Sequence, residues 1–143
     1  MTVYLESSAL LAILFNEPSA PKVVHALNEA DIVVTSVLSF IEAKRAANRF
    51  PQKSVVSGLL ENLSFKWNRI PVDEAIQKRA GDPFPVEPVR TLDAIHLATA
   101  LEMLKVFPDL AVLSFDKRIL DNLEPLGLVR AELEKLKADS AET

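Results

Sequence analysis

Short apolar runs alternate with helical stripes along this chain. Val3-Tyr4-Leu5 predicts a short strand, and Ser7 or Ser8 offers a cap for a helix running through residues 9–14. Pro18 and Pro21 open a second helix to about Asn28. The β-branched run Asp31-Ile32-Val33-Val34-Thr35 predicts a strand, followed by a helix over residues 37–50 that Pro51 breaks. Val55, Val56, Leu59, Leu60 and Leu63 recur at helical spacing. Residues 65–72 read as a strand, 73–80 as a short helix, and 82–88, with three prolines, as a loop. Leu110-Ala111-Val112-Leu113-Ser114 is a further strand, residues 117–123 a helix, and Leu128-Val129 a last short strand. From Ala131 the tail is polar. Strands alternating with helices in this way predict a parallel sheet covered on both faces. Ligands of such sheets bind beyond the carboxyl ends of the strands.

One stretch departs from the alternation. Thr91-Leu92-Asp93-Ala94-Ile95-His96-Leu97-Ala98-Thr99-Ala100 is apolar almost all the way round, which predicts a buried helix. It nevertheless carries a carboxylate in its first turn and a histidine three residues on. A buried helix carries an ionisable group only with compensation, here a hydrogen bond, an ion pair or a metal ion.

Bulk composition narrows the chemistry. With 143 residues, 49% hydrophobic and 25% charged, the chain matches one ordinary globular domain. The formal net charge of −4 excludes a general electrostatic grip on nucleic acid. Gly58, Gly81 and Gly127 are the only glycines and lie far apart, so no glycine-rich phosphate loop is present. The absence of cysteine removes disulfides and thiolate-bound metals. No run is long enough to span a bilayer, and no basic segment precedes an apolar one at the N-terminus. A cytoplasmic location away from membranes is expected.

Four acids fall at the places where such a fold does chemistry. Glu6 directly follows the first strand, and Asp116 follows the strand ending at Ser114-Phe115. Glu42 lies inside a helix with Leu38 and Ala46 four residues to either side, and Asp93 opens the apolar helix. Each has a plain alternative: Glu6 favouring a helix dipole, Glu42 pairing with Arg45 on the surface, Asp93 and Asp116 capping helices. Gathered in one cleft, they would repel one another unless a cation intervened. All-oxygen ligands select Mg²⁺ or Mn²⁺ over zinc. Metal held by carboxylates against an anionic substrate points to phosphodiester hydrolysis.

The pieces Val3-Tyr4-Leu5-Glu6-Ser7-Ser8-Ala9-Leu10, Ser36-Val37-Leu38-Ser39-Phe40-Ile41-Glu42-Ala43, Leu92-Asp93-Ala94-Ile95-His96-Leu97-Ala98-Thr99-Ala100 and Leu113-Ser114-Phe115-Asp116 give the chain a family likeness. In order and spacing it resembles the PIN domain, and within it the VapC-type ribonuclease toxins, over roughly residues 1–130. The resemblance implies a three-layer α/β/α fold and a tail or helix over residues 131–143 outside the domain. It implies a divalent-metal site at Glu6, Glu42, Asp93 and Asp116, supported by Ser8 and Ser114. It further implies endonucleolytic cleavage of RNA and a small antitoxin protein as partner, which blocks the acidic cleft, often with an arginine.

One position departs from the family pattern: the first acid is Glu6 where an aspartate is usual. The extra methylene moves the carboxylate by more than the roughly 0.2 Å tolerance of a metal–ligand distance. The alternative reading is therefore a catalytically impaired PIN-like module that binds RNA or protein. His96 is expected to pack with one satisfied hydrogen bond, and Thr91 to cap its helix or support the site. Lys44, Arg45, Arg49, Arg90, Lys117 and Arg118 are candidates for RNA phosphates, against a solvated surface. Trp67 is expected in the core. The stripe from Val55 to Leu63 either packs within the monomer or meets an antitoxin or a second copy, as in a homodimer.

Overall fold

Every strand pairing in the sheet is parallel, as the alternation predicts. The computed structural model describes residues 1–133, so the tail expected over 131–143 lies almost wholly outside the described residues. The strands are β1 (Thr2–Leu5), β2 (Ile32–Ser36), β3 (Asn68–Ile70), β4 (Ala111–Leu113) and β5 (Val129–Arg130), in the order β3-β2-β1-β4-β5. The helices are α1 (Ser7–Leu14), α2 (Ala20–Glu29), α3 (Val37–Ala47), α4 (Lys53–Ser64), α5 (Glu74–Ala80), α6 (Thr91–Val106) and α7 (Lys117–Leu123). β1 pairs with β2 on one side and β4 on the other, so the turns after β1 and β4 are neighbours.

The period-two side-chain alternation of the strands divides the core into two layers. Val3, Leu5, Val33, Ala111 and Leu113 face Leu10, Ile13, Val23, Leu27, Phe40 and Leu60, which come from α1 to α4. Tyr4, Val34 and Val112 face Ala94, Leu97, Ala100, Ile119 and Leu123 of α6 and α7, while α5 packs on α6. The result is a three-layer α/β/α arrangement.

Several boundaries moved from their sequence positions. Neither Ser7 nor Ser8 caps α1; both are its first helical residues, and Glu6 stands in the cap position. Helix α3 stops at Ala47 rather than at residue 50, although its start is capped as expected for a serine, with Ser36 Oγ accepting from the Leu38 N–H. The strand expected over 65–72 shrinks to Asn68–Ile70, since only Val34 to Ser36 of β2 offer it partners. Trp67 therefore precedes the strand, half-buried on the α1–α4 side of the core beside Phe40. The α4 stripe divides: Leu60 is buried and Val56 and Leu63 pack against the core, whereas Val55 and Leu59 face outward.

The proline-rich segment before α6 is held at both ends. Glu87 accepts from the N–H groups of Phe84 (2.9 Å) and Val89 (2.8 Å). Those two amide bonds hold its carboxyl below the usual carboxylate range. Buried Asn122 of α7 accepts from the Val86 N–H and donates to the Val86 carbonyl, both at 2.9 Å. A residue far along the chain thus fixes the entry into α6.

Leu97 is 1% exposed in the α6 layer, whereas Leu59 on α4 is 41% exposed. Leu97→Ala should cost about 2–5 kcal/mol in urea unfolding, and Leu59→Ala no more than about 0.5 kcal/mol. Equal losses would contradict this layering.

Candidate functional site

All four sequence-selected acids line one cleft of about 290 Å³, together with Ser7, Ser8, Arg90 and His96. It opens beyond the carboxyl ends of β1 and β4. Four separate parts of the chain reach it, through the turn after β1, α3, the first turn of α6 and the turn after β4.

Glu6 is 4% exposed and does not cap α1 with its side chain. Its Oε1 accepts from the Ser8 hydroxyl (2.5 Å) and the Ser114 hydroxyl (2.6 Å). The same two oxygens receive the backbone N–H groups of Phe115 (2.8 Å, onto Ser8) and Asp116 (3.0 Å, onto Ser114). The serines thus stitch the turn after β1 to the turn after β4 while neutral donors satisfy the Glu6 carboxylate.

Glu42 takes its hydrogen bonds across the cleft, not from Arg45. Ser7 Oγ donates to its Oε1 at 2.5 Å, and His96 Nε2 lies 3.1 Å from the same oxygen. Burial, the largest single influence, pushes the Glu42 carboxyl up, but the bonds from His96 and Ser7 outweigh it and hold the group below its ordinary value.

His96 does more than the single hydrogen bond expected of it. It is 2% exposed, with Nδ1 2.8 Å from the Tyr4 hydroxyl and Nε2 2.9 Å from Ser7 Oγ. A proton on Nε2 satisfies all partners: Nδ1 accepts from Tyr4, and Nε2–H faces Ser7 and Glu42. Burial pushes the Tyr4 phenol well above its usual range, and the nearby Glu6 charge adds to that, so the hydroxyl keeps its proton. The i+3 spacing of His96 from Asp93 is visible in the sequence; its contact with Glu42 needs α3 and α6 to meet beyond the end of β1.

Asp93 and Asp116 share one arginine. Arg90 Nε lies 3.0 Å from Asp93 Oδ2, Arg90 Nη2 3.2 Å from Asp93 Oδ1, and the same Nη2 2.8 Å from Asp116 Oδ2. The capping expectations hold alongside this pair. The Arg90 backbone N–H donates to Asp93 Oδ2 at 3.1 Å, and Asp116 Oδ1 accepts from the N–H groups of Arg118 and Ile119. Thr91 is the first residue of α6; the cap position belongs to Arg90. Of the other basic candidates, Lys117 pairs with Asp121 at 2.7 Å.

Carboxylates with hydroxyls behind them suit a hard divalent cation by donor type. In the arrangement described, each acid already has a partner. Among the described residues, no three acidic or histidine side chains are gathered ready to hold one ion. An ion held by Asp93 and Asp116 would have to compete with Arg90 for them.

The family model described as "PIN domain" matches residues 3–124. The chain belongs to the PIN domain family. Among curated relatives of this PIN domain, Ribonuclease VapC46 of Mycobacterium tuberculosis is 34% identical over 129 residues, covering 88% of this chain and 93% of the relative. Two solved structures share the fold. VapBC2 from Rickettsia felis, bound to a DNA fragment from its promoter, has a TM-score of 0.69 at 11% identity, covering 92% of this chain and 98% of that one. A toxin–antitoxin complex from Klebsiella pneumoniae has a TM-score of 0.62 at 18% identity, covering 82% of this chain and 89% of that one. Among the described residues, no helix is long and apolar enough to cross a membrane.

The lowered Glu42 carboxyl sets an acid dependence. A carboxyl held low in the folded state stabilises the fold above its ordinary value, and that contribution is lost as pH falls through the lowered one. Between about pH 5 and pH 3 the parent should lose stability more steeply than Glu42→Gln. Parallel pH profiles of chemical unfolding would remove Glu42 from this role.

Proposed function

We propose that this PIN domain is a divalent-metal-dependent endoribonuclease and the toxin of a type II toxin–antitoxin pair. The observation that carries the reading is the convergence of Glu6, Glu42, Asp93 and Asp116 in one cleft beyond β1 and β4. No single stretch of sequence needs four carboxylates there, and their mutual repulsion makes the arrangement costly without a cation. The ribonuclease name of VapC46 and the toxin–antitoxin complex that shares the fold support the substrate class and the partner.

In this reading the four acids hold Mg²⁺ or Mn²⁺. When bound, the metal supplies an activated water and charge stabilisation at the scissile phosphate. The protein's own part is orientation. Ser8 and Ser114 set the Glu6 carboxylate, Ser7 and His96 set that of Glu42, and the amides opening α7 set one oxygen of Asp116. Such outer partners hold a ligand in place for catalysis. The antitoxin would close the same cleft with a cationic side chain, which its four carboxylates would attract.

A second reading has its own observation. The Glu6 carboxylate is nine-tenths or more buried and bonded to two hydroxyls, which favours a PIN-like RNA- or protein-binding module impaired in cleavage. RNA cleavage with Mn²⁺ separates the two. The nuclease reading expects Asp93→Asn to lower the rate by more than the roughly 10- to 100-fold typical of outer-partner loss, with EDTA abolishing it. Cleavage that survives both treatments would sink the metal mechanism. An inactive parent made active by Glu6→Asp would instead favour the impaired module.

A further inference from the structure

Arg90 is anchored at its backbone and open at its tip. Its carbonyl accepts the first backbone hydrogen bond of α6, from the Ala94 N–H at 2.9 Å, so its Cα is fixed beside the cleft. Its side chain is 62% exposed, whereas the carboxylates it touches are 4% exposed for Asp93 and 18% for Asp116. Among the described residues that line the cleft it is the only lysine or arginine, set against four carboxylates. The guanidinium contacts both oxygens of Asp93 and the one oxygen of Asp116 that α7 leaves unused. A cation bound by Asp93 and Asp116 would meet those same oxygens and be repelled by the guanidinium beside them, so the two occupants compete. Space for the displaced side chain lies next door. Arg90 and Thr91 also line an adjoining cavity of about 590 Å³, floored by Phe84, Val89 and Ile95.

We propose that Arg90 is an exchangeable counter-ion, holding Asp93 and Asp116 in the metal-free protein, ceding them to the divalent cation, and then taking a phosphate of the RNA. The proposal rests on the metal-dependent reading above. Its physical basis is that a guanidinium fork matches carboxylate and phosphate oxygens alike. The guanidinium end of the pair is solvent-exposed and can be rehydrated on leaving, and a divalent ion in the same place keeps the buried Asp93 carboxylate compensated. Bound metal would then lower the cleft's negative charge and free the Arg90 guanidinium together, coupling metal uptake to RNA capture.

The test is calorimetric titration of the full chain with Mn²⁺, without RNA, for the parent, Arg90→Gln and Arg90→Lys. Removing the competitor should tighten Mn²⁺ binding about tenfold in Arg90→Gln, within the usual range of such couplings. Arg90→Lys should fall between, since an ammonium cannot bridge both acids in the same planar way. Thermal unfolding guards against a purely structural effect. Metal-free Arg90→Gln should melt below the parent, and Mn²⁺ should raise its melting temperature more than it raises the parent's. With Mn²⁺ present, binding of a 2′-O-methyl RNA, which resists cleavage, should weaken severalfold in Arg90→Gln. Mn²⁺ affinity in Arg90→Gln equal to or weaker than the parent's overturns the exchange, and a parent that still cleaves RNA leaves the nuclease reading intact. Mn²⁺ binding by neither protein overturns both. Unchanged RNA binding overturns the phosphate step.

Discussion

The charge on Asp93 is the constraint around which the site is built. A carboxylate 4% exposed in the first turn of an otherwise apolar helix costs stability unless a partner compensates it. Arg90, three residues earlier, does this with a bidentate contact and adds Asp116 to the same pair. One guanidinium therefore joins α6, on one layer, to the turn after β4. The proline-rich segment that precedes it, clamped by Glu87 and by Asn122, holds the arginine's backbone at that crossing.

The remaining two acids are compensated differently. Glu6 and Glu42 belong to the α1–α3 side of the sheet and are satisfied by serine hydroxyls and the His96 ring. Hydroxyls are neutral donors, so Glu6 meets dipoles where Asp93 and Asp116 meet a guanidinium. The cleft is thus divided, one half paired with a solvent-exposed positive charge and the other with fixed dipoles. The fixed half depends on interior residues, since His96 is positioned by Tyr4, whose hydroxyl is locked in its protonated form by burial.

Much of this was legible along the chain, and what was not has definite causes. The four acids were identified from their positions after strands and on apolar helical faces, and all of them line the cleft. The β-branched run at β2 and the apolar stretch of α6 announced themselves by composition. The edge strand β3 was overestimated, because its length follows from how much of β2 remains to pair with it. Spacing along α3 offers Glu42 a surface pair with Arg45 as the plain alternative, yet α1 and α6 bring the carboxylate donors in Ser7 and His96. Arg90 looked like one of six similar cations, because its special position depends on Asp116, 26 residues later.

By itself, then, the sequence determined the element types, the parallel sheet, the acidic character of the strand ends and the presence on a buried helix of a charge that requires a partner. These follow from local periodicity and from the cost of burying charge, and neither requires knowledge of neighbours in space. Only the tertiary structure decided which donor meets which carboxylate. Hydrogen bonds and ion pairs act over about 3 Å, and groups 26 to 108 residues apart reach that range here only once β1 and β4 lie side by side.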